Sequence, residues 1–109
     1  MFDTLWLSWD QLDRSLKNRD VAFFGSGEWA EKTLRKISRK PLFILDNSKV
    51  MQNTTLEGVD IVPPERLASA PEDTRVLITT GSFESVIRQL EDMGCVAKKD
   101  FACSPVLRN

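Results

Sequence analysis

The stretch that most constrains this chain is Val21-Ala22-Phe23-Phe24-Gly25-Ser26-Gly27-Glu28-Trp29-Ala30. Four apolar residues run straight into Gly-x-Gly-x-x-Ala, and helical spacing begins where the glycines end. An uninterrupted apolar run suits a strand covered on both faces. The helix after it presents unpaired N–H groups beside the turn, an arrangement that holds a phosphate. The next apolar run, Leu42-Phe43-Ile44-Leu45, ends in Asp46, roughly 20 positions past Gly25. Dinucleotide-binding folds place there an acidic residue that accepts hydrogen bonds from a ribose.

Each of these residues also has a purely structural reading. Gly25 and Gly27 suit any tight strand-to-helix connection, because glycine adopts positive φ and allows close packing. Asp46 either meets a ribose or caps the following loop with its own side chain. Ser26 either donates to a phosphate or is simply small. A second turn, Thr80-Gly81-Ser82, follows another apolar run; Thr80 and Ser82 cap the next helix or touch a ligand. Lys49 is a solvated loop lysine or a contact for an anionic group. Cys103 reads as core, since nothing in the sequence is placed to lower its pKa.

Composition narrows the chemistry. The 109 residues make one domain, 41% hydrophobic and 28% charged, with a net charge of −1 that suggests neither a nucleic-acid nor an anionic-membrane surface. The chain has no histidine, which excludes Ser-His-Asp and Cys-His catalysis and histidine metal sites. It has no tyrosine, which excludes the Tyr-x-x-x-Lys pair of short-chain dehydrogenases. Its two cysteines, Cys95 and Cys103, have no other soft ligand beside them; they read as free thiols of a reducing compartment rather than a zinc site. A disulfide between them stays open. No run of about 18 apolar residues offers a membrane span, and the N-terminus lacks the pattern of a secretory signal. The expected location is the cytoplasm.

In chain order, Ser8-Trp9-Asp10-Gln11 is a capping-box pattern, and Trp9, Leu12 and Leu16 continue it as a helix over about 9–18. Phe2, Leu5, Trp6 and Leu7 ahead of it form an apolar arm that packs on its own domain or on a second subunit. Residues 1–19 are read as this arm and helix, residues 20–109 as the domain proper. A strand over Val21–Phe24 precedes a helix carrying Trp29, Ala30, Thr33, Leu34 and Ile37 on one face and ending by Pro41. Leu42–Leu45 is the second strand, and residues 46–58 read as loop. Val59–Val62 reads as a short edge strand, and Pro63-Pro64-Glu65-Arg66-Leu67 opens a small helix. Arg75–Thr79 is a strand. Phe83, Val86, Ile87, Leu90 and Met93 mark the best amphipathic helix, stopped by Gly94. Residues 98–102 supply a last short strand. Alternating strands and helices predict an α/β fold in three layers, with a mostly parallel sheet of about 4–5 strands and an extra N-terminal helix. Both glycine turns then flank one crevice at the carboxyl ends of the strands.

The order of these pieces resembles the small Rossmann-like domain of bacterial surface-polysaccharide biosynthesis proteins. The matching segments are Phe24-Gly25-Ser26-Gly27, Ile44-Leu45-Asp46-Asn47, residues 56–67 from Leu56-Glu57-Gly58 to Glu65-Arg66-Leu67, and Val76-Leu77-Ile78-Thr79-Thr80-Gly81-Ser82. Such domains accompany sugar acyltransferases, sugar C-methyltransferases, sugar-nucleotide dehydratases and glycosyltransferases. The resemblance implies a nucleotide-sugar or NAD-like ligand, with phosphates at the first turn and ribose at the acidic residue. Two residues depart from the pattern: Trp29 is bulky enough to cover or occlude the turn, and Glu28 sets a negative charge where a phosphate would lie.

The expected site is therefore Gly25, Ser26, Gly27, Glu28, Trp29, Asp46, Asn47, Thr80, Gly81 and Ser82, with no catalytic and no metal-ligating residue. The expected function is a non-catalytic nucleotide or nucleotide-sugar binding domain of polysaccharide biosynthesis, the N-terminal part of a larger enzyme or a homodimer. The alternative is an oligomerisation module that kept the fold and lost the ligand. A free-standing NAD- or S-adenosylmethionine-dependent enzyme fits least, for want of size and of an acid/base group.

Overall fold

The computed structural model describes residues 7–37 and 39–108. Its elements are α1 (Trp9–Ser15), β1 (Val21–Phe24), α2 (Glu28–Lys36), β2 (Ile44–Leu45), β3 (Thr55–Leu56), β4 (Val59–Val62), β5 (Arg75–Ile78), α3 (Phe83–Asp92) and β6 (Phe101–Cys103). Short 3-10 helices cover Pro64–Ser69 and Pro105–Arg108. The strands form one sheet in the order β3-β4-β2-β1-β5-β6, parallel throughout except for the β3–β4 pair. The α/β class, the mostly parallel sheet and the N-terminal helix are as the sequence predicts.

The order reverses at β1. From β1 the chain crosses through α2 to β2 on one side, and from β5 it crosses through α3 to β6 on the other. Right-handed crossovers in opposite directions put their helices on opposite faces. The core divides accordingly. Ala22 and Phe24 point into a cluster with Val86, Ile87 and Leu90 of α3. Val21 and Phe23 point the other way, into a cluster with Leu12 and Leu16 of the N-terminal segment and Ala30 of α2. Phe23, Phe24 and Phe101 are at most 2% exposed, and burying each such side chain contributes about 1.5–3 kcal/mol.

Local signals hold at the helix ends. The Ser8 hydroxyl accepts from the Gln11 N–H at 3.1 Å while the Gln11 side chain accepts from the Ser8 N–H at 2.9 Å, the reciprocal box read from sequence. After α3, Gly94 takes φ +94° and the Cys95 N–H reaches back to the Leu90 carbonyl at 2.9 Å. That i→i−5 bond is a Schellman closure.

Three expectations are corrected. The sheet has six strands, because residues 46–58 are not wholly loop: Thr55–Leu56 pairs antiparallel with β4. Glu57 and Gly58 both take positive φ, 49° and 81°, as a two-residue type I′ hairpin requires. A two-residue strand is too short to show alternation, so sequence periodicity passes over it. Val59–Val62 is consequently not an edge, since it lies between β3 and β2. Trp29 does not join the buried face of α2; at 37% exposed it stands at the helix start. Of the apolar arm, Phe2, Leu5 and Trp6 lie outside the described residues, and Leu7 packs half-buried against the Leu12 cluster.

Candidate functional site

The first glycine turn is tied to both strands beside β1. The Gly25 N–H donates to the Leu45 carbonyl at 2.8 Å. The buried Thr79 hydroxyl donates to the Gly25 carbonyl at 2.7 Å. Gly25 takes φ +118°, and a Cβ there would lie 2.8 Å from the Thr79 carbonyl oxygen and 2.8 Å from the Thr80 Cβ. Both conformation and close approach demand glycine at this position.

Asp46 knots the next residue down. Its Oδ2 accepts from the Ser26 N–H at 3.1 Å and the Ser26 hydroxyl at 2.5 Å, and its Oδ1 accepts from the Ser48 N–H at 2.8 Å. Its backbone carbonyl accepts from the Gln52 amide at 2.8 Å. The loop-capping role read for Asp46 is therefore present, and its bonds to Ser26 add an anchoring of the first turn that the sequence did not announce. A carboxylate offers about four acceptor positions, so three bonds leave one for an outside hydroxyl.

Gly27 is different. It is the N-cap of α2 at φ −87°, no side chain caps the helix, and an added Cβ would meet nothing within 4 Å. Neither strain nor crowding explains glycine here. The first N–H groups of α2 have no intrahelical acceptor, and the N-cap supplies no side-chain acceptor.

Glu28 turns away to Lys32 at 3.1 Å, both largely exposed. The Lys32 ammonium also lies 5.6 Å from the centre of the Trp29 ring. Trp29 is 37% exposed, with the Lys32 ammonium beside its ring. The second turn is looser. The Ser82 N–H meets the Thr80 hydroxyl at 3.3 Å, Ser82 is the N-cap of α3 without a side-chain bond to the helix, and a Cβ at Gly81 would meet nothing within 4 Å. Ser82 does not cap α3 through its hydroxyl, contrary to one of the two readings of it.

Between the turns lies a cavity of about 290 Å³, lined by Gly25, Asp46, Asn47, Thr80 and Ser82 of the expected residues. Ser26, Gly27, Glu28, Trp29 and Gly81 are not in its lining. Sequence reasoning missed Phe24, Ser85 and Val86, which complete the wall. Ser85 and Val86 sit one turn beyond Ser82, a spacing that placed them on α3 without marking them as crevice-facing. Gln89 was missed too. Its amide exchanges two hydrogen bonds with that of Asn47, at 2.8 and 2.9 Å, and ties the loop after β2 to the middle of α3.

Other hollows are as large or larger. One of about 480 Å³ runs along Pro63–Ser69, one of about 380 Å³ is lined by Asp13, Arg14, Leu16, Lys17, Ile37 and Arg39, and one of about 300 Å³ lies near Leu67, Val76 and Met93. The last meets the C-terminal end of α3, where carbonyls and not N–H donors point outward. The crevice instead combines the N-cap of α3 with the polar side chains of Asp46, Asn47, Thr80 and Ser85. Neither cysteine lines the crevice. Both are free, burial pushes the Cys103 thiol up to about 12, and burial, then the Asp100 charge, raises that of Cys95.

Fold and crevice together define an α/β domain with a mostly parallel six-stranded sheet and a polar cleft at its topological switch point. No protein-family model matches the sequence, and no curated protein matches it. Among the described residues no helix is long and apolar enough to cross a membrane.

Proposed function

We propose that this chain is a non-catalytic domain that binds a nucleotide or nucleotide sugar at the crevice between its two glycine turns. The observation that carries the reading is the α2 N-terminus: uncapped, open beside a glycine that nothing in the chain requires, and next to Asp46. Phosphate on those N–H groups is favoured by the helix dipole. The remaining acceptor position of Asp46 suits a ribose hydroxyl, and the Thr80–Ser82 turn meets the far side of the ligand. A cavity of about 290 Å³ lies at the small end of ligand pockets, so it encloses one part of such a ligand while the rest lies over the rim at Glu28 and Trp29. Asp46 is the one acidic or basic side chain in the lining, and three internal hydrogen bonds occupy it. We therefore read the site as one of binding without chemistry. The resemblance of the segments around Gly25, Asp46, Leu56–Leu67 and Gly81 to domains of surface-polysaccharide biosynthesis supports a nucleotide sugar as ligand and that pathway as context.

Calorimetric titration of ADP, UDP-glucose and NAD into the protein tests the reading. Saturable binding of at least one, lost in Asp46→Ala, is expected. An absence of heat with all three at millimolar concentration overturns it.

A further inference from the structure

The hollow at the carboxyl ends of α1 and α2 is lined by more positive charge than the fold balances. It measures about 380 Å³, and Arg14, Lys17 and Arg39 share its lining with Asp13, Leu16 and Ile37. Leu16 and Ile37, the C-caps of the two helices, are buried. The three cations are exposed. Lys17 shortly precedes β1 and Arg39 shortly precedes β2, so the hollow lies at the amino ends of those strands. The crevice between the glycine turns lies at their carboxyl ends.

These cations are not spent on carboxylates. On α2 an acid four residues before a base closes into an ion pair twice, Glu28–Lys32 at 3.1 Å and Glu31–Arg35 at 3.6 Å. The same spacing recurs at Asp10–Arg14 and Asp13–Lys17, yet among the described residues neither forms an ion pair, and Arg39 forms none either. Arg39 donates through Nη1 to the Arg19 carbonyl, a bond that orients its guanidinium without neutralising it. Cations at the carboxyl end of a helix complement its dipole, and that accounts for part of the charge. Each end is worth roughly half a charge. The two ends and Asp13 therefore supply about two negative charges against three positive ones in the lining. Lys36 and Lys40, both exposed and next in the chain to Ile37 and Arg39, enlarge the excess.

We infer that this hollow is an anion site that takes the phosphate group of a small molecule, with Arg14 and Arg39 as forks and Lys17 as a point charge. A guanidinium binds phosphate through paired N–H···O bonds, and an ammonium adds charge without that geometry. A phosphate monoester carries about 1.5 to 2 negative charges at neutral pH, which the excess here suits better than the single charge of a carboxylate. The volume, about 380 Å³, falls within the range of small-ligand pockets. Free phosphate and a phosphate ester share this chemistry. The site is separate from the crevice and does not depend on what the crevice binds.

The test follows the arginine Nε–H signals of isotope-labelled protein by NMR. Sodium phosphate, glycerol phosphate and sodium acetate are titrated separately and compared with sodium chloride at equal ionic strength. The Arg14 and Arg39 signals are expected to shift together and saturably with a phosphate, at lower concentration than with acetate, while those of Arg35, Arg66 and Arg88 stay put. Whichever phosphate saturates first identifies the source, free ion or ester. In Lys17→Gln, a change at an exposed position, both signals should report an affinity about tenfold weaker, the worth of one charge-assisted hydrogen bond. Uniform drift of all arginines, a response no greater than that to chloride, acetate bound as tightly as phosphate, or an affinity undiminished in Lys17→Gln overturns the inference.

Discussion

The two glycine turns that flank the crevice look alike in sequence and differ in how they are held. In the first, Gly25 is wedged against the Thr79 carbonyl at φ +118°, and Ser26 is bonded twice to Asp46. In the second, Gly81 has free space around it, and a single 3.3 Å bond joins Ser82 to Thr80. Gly27, although in the first turn, resembles Gly81 in having nothing within 4 Å of a would-be Cβ. A glycine pattern is thus two signals in one. Gly25 is demanded by the fold; Gly27 and Gly81 are left to be explained by what approaches them.

The largest test of that contrast is replacement of each glycine by alanine. Gly25→Ala should cost about 3 kcal/mol or more, because it combines a left-handed φ with a backbone clash. Gly27→Ala and Gly81→Ala should stay within about 1 kcal/mol. Urea unfolding midpoints separate the two outcomes; equal losses at all three glycines would erase the distinction. Asp46→Ala comes next. It strips three hydrogen bonds from the first turn and its loop, and should cost about 2 kcal/mol, measurable in the same experiment.

The strand leading into the second turn rests on β6, where Ile78 pairs with Cys103. The Cys103 thiol is pushed from 9.0 to about 12 by burial. The folded state therefore keeps a proton that the unfolded chain releases above about pH 9. Its contribution is fully present below that pH and is lost progressively as pH rises toward 12. Thermal midpoints of Cys103→Ala should fall less steeply over that window than those of the wild type. The smallest expected effect is at the Asn47–Gln89 amide pair. Asn47→Ala should cost about 0.5–1 kcal/mol, because the pair ties one loop to α3 and seals nothing.

Much of the fold was legible because its signals are local. The apolar run Val21–Phe24, the Ser8–Gln11 box and the Phe83–Leu90 stripe each declare an element within a few residues, and each is found where it is expected. The β3 strand was not legible, since Thr55–Leu56 is defined by its partner and by the positive φ of Glu57 rather than by its own pattern. The site was half legible for a related reason. Gly25 and Asp46 follow from spacing along the chain, whereas the Ser26–Asp46 bonds and the Asn47–Gln89 pair are contacts between segments far apart in sequence. Trp29 was bulky enough in sequence to cover or occlude the turn; in the structure it is 37% exposed, with Lys32, one helical turn on, beside its ring.

The central claim is that the α2 N-terminus is kept open for a ligand, and Gly27→Ser tests it most directly. A serine at the N-cap supplies the missing side-chain bond to the first turn of α2, so the variant should be as stable as the wild type or more so by a few tenths of a kcal/mol. Its hydroxyl then occupies the N–H groups proposed for phosphate. Calorimetry with the nucleotide that the wild type binds should show affinity weakened about tenfold or more, the worth of one charge-assisted hydrogen bond. Undiminished affinity in a stably folded Gly27→Ser protein would contradict the account.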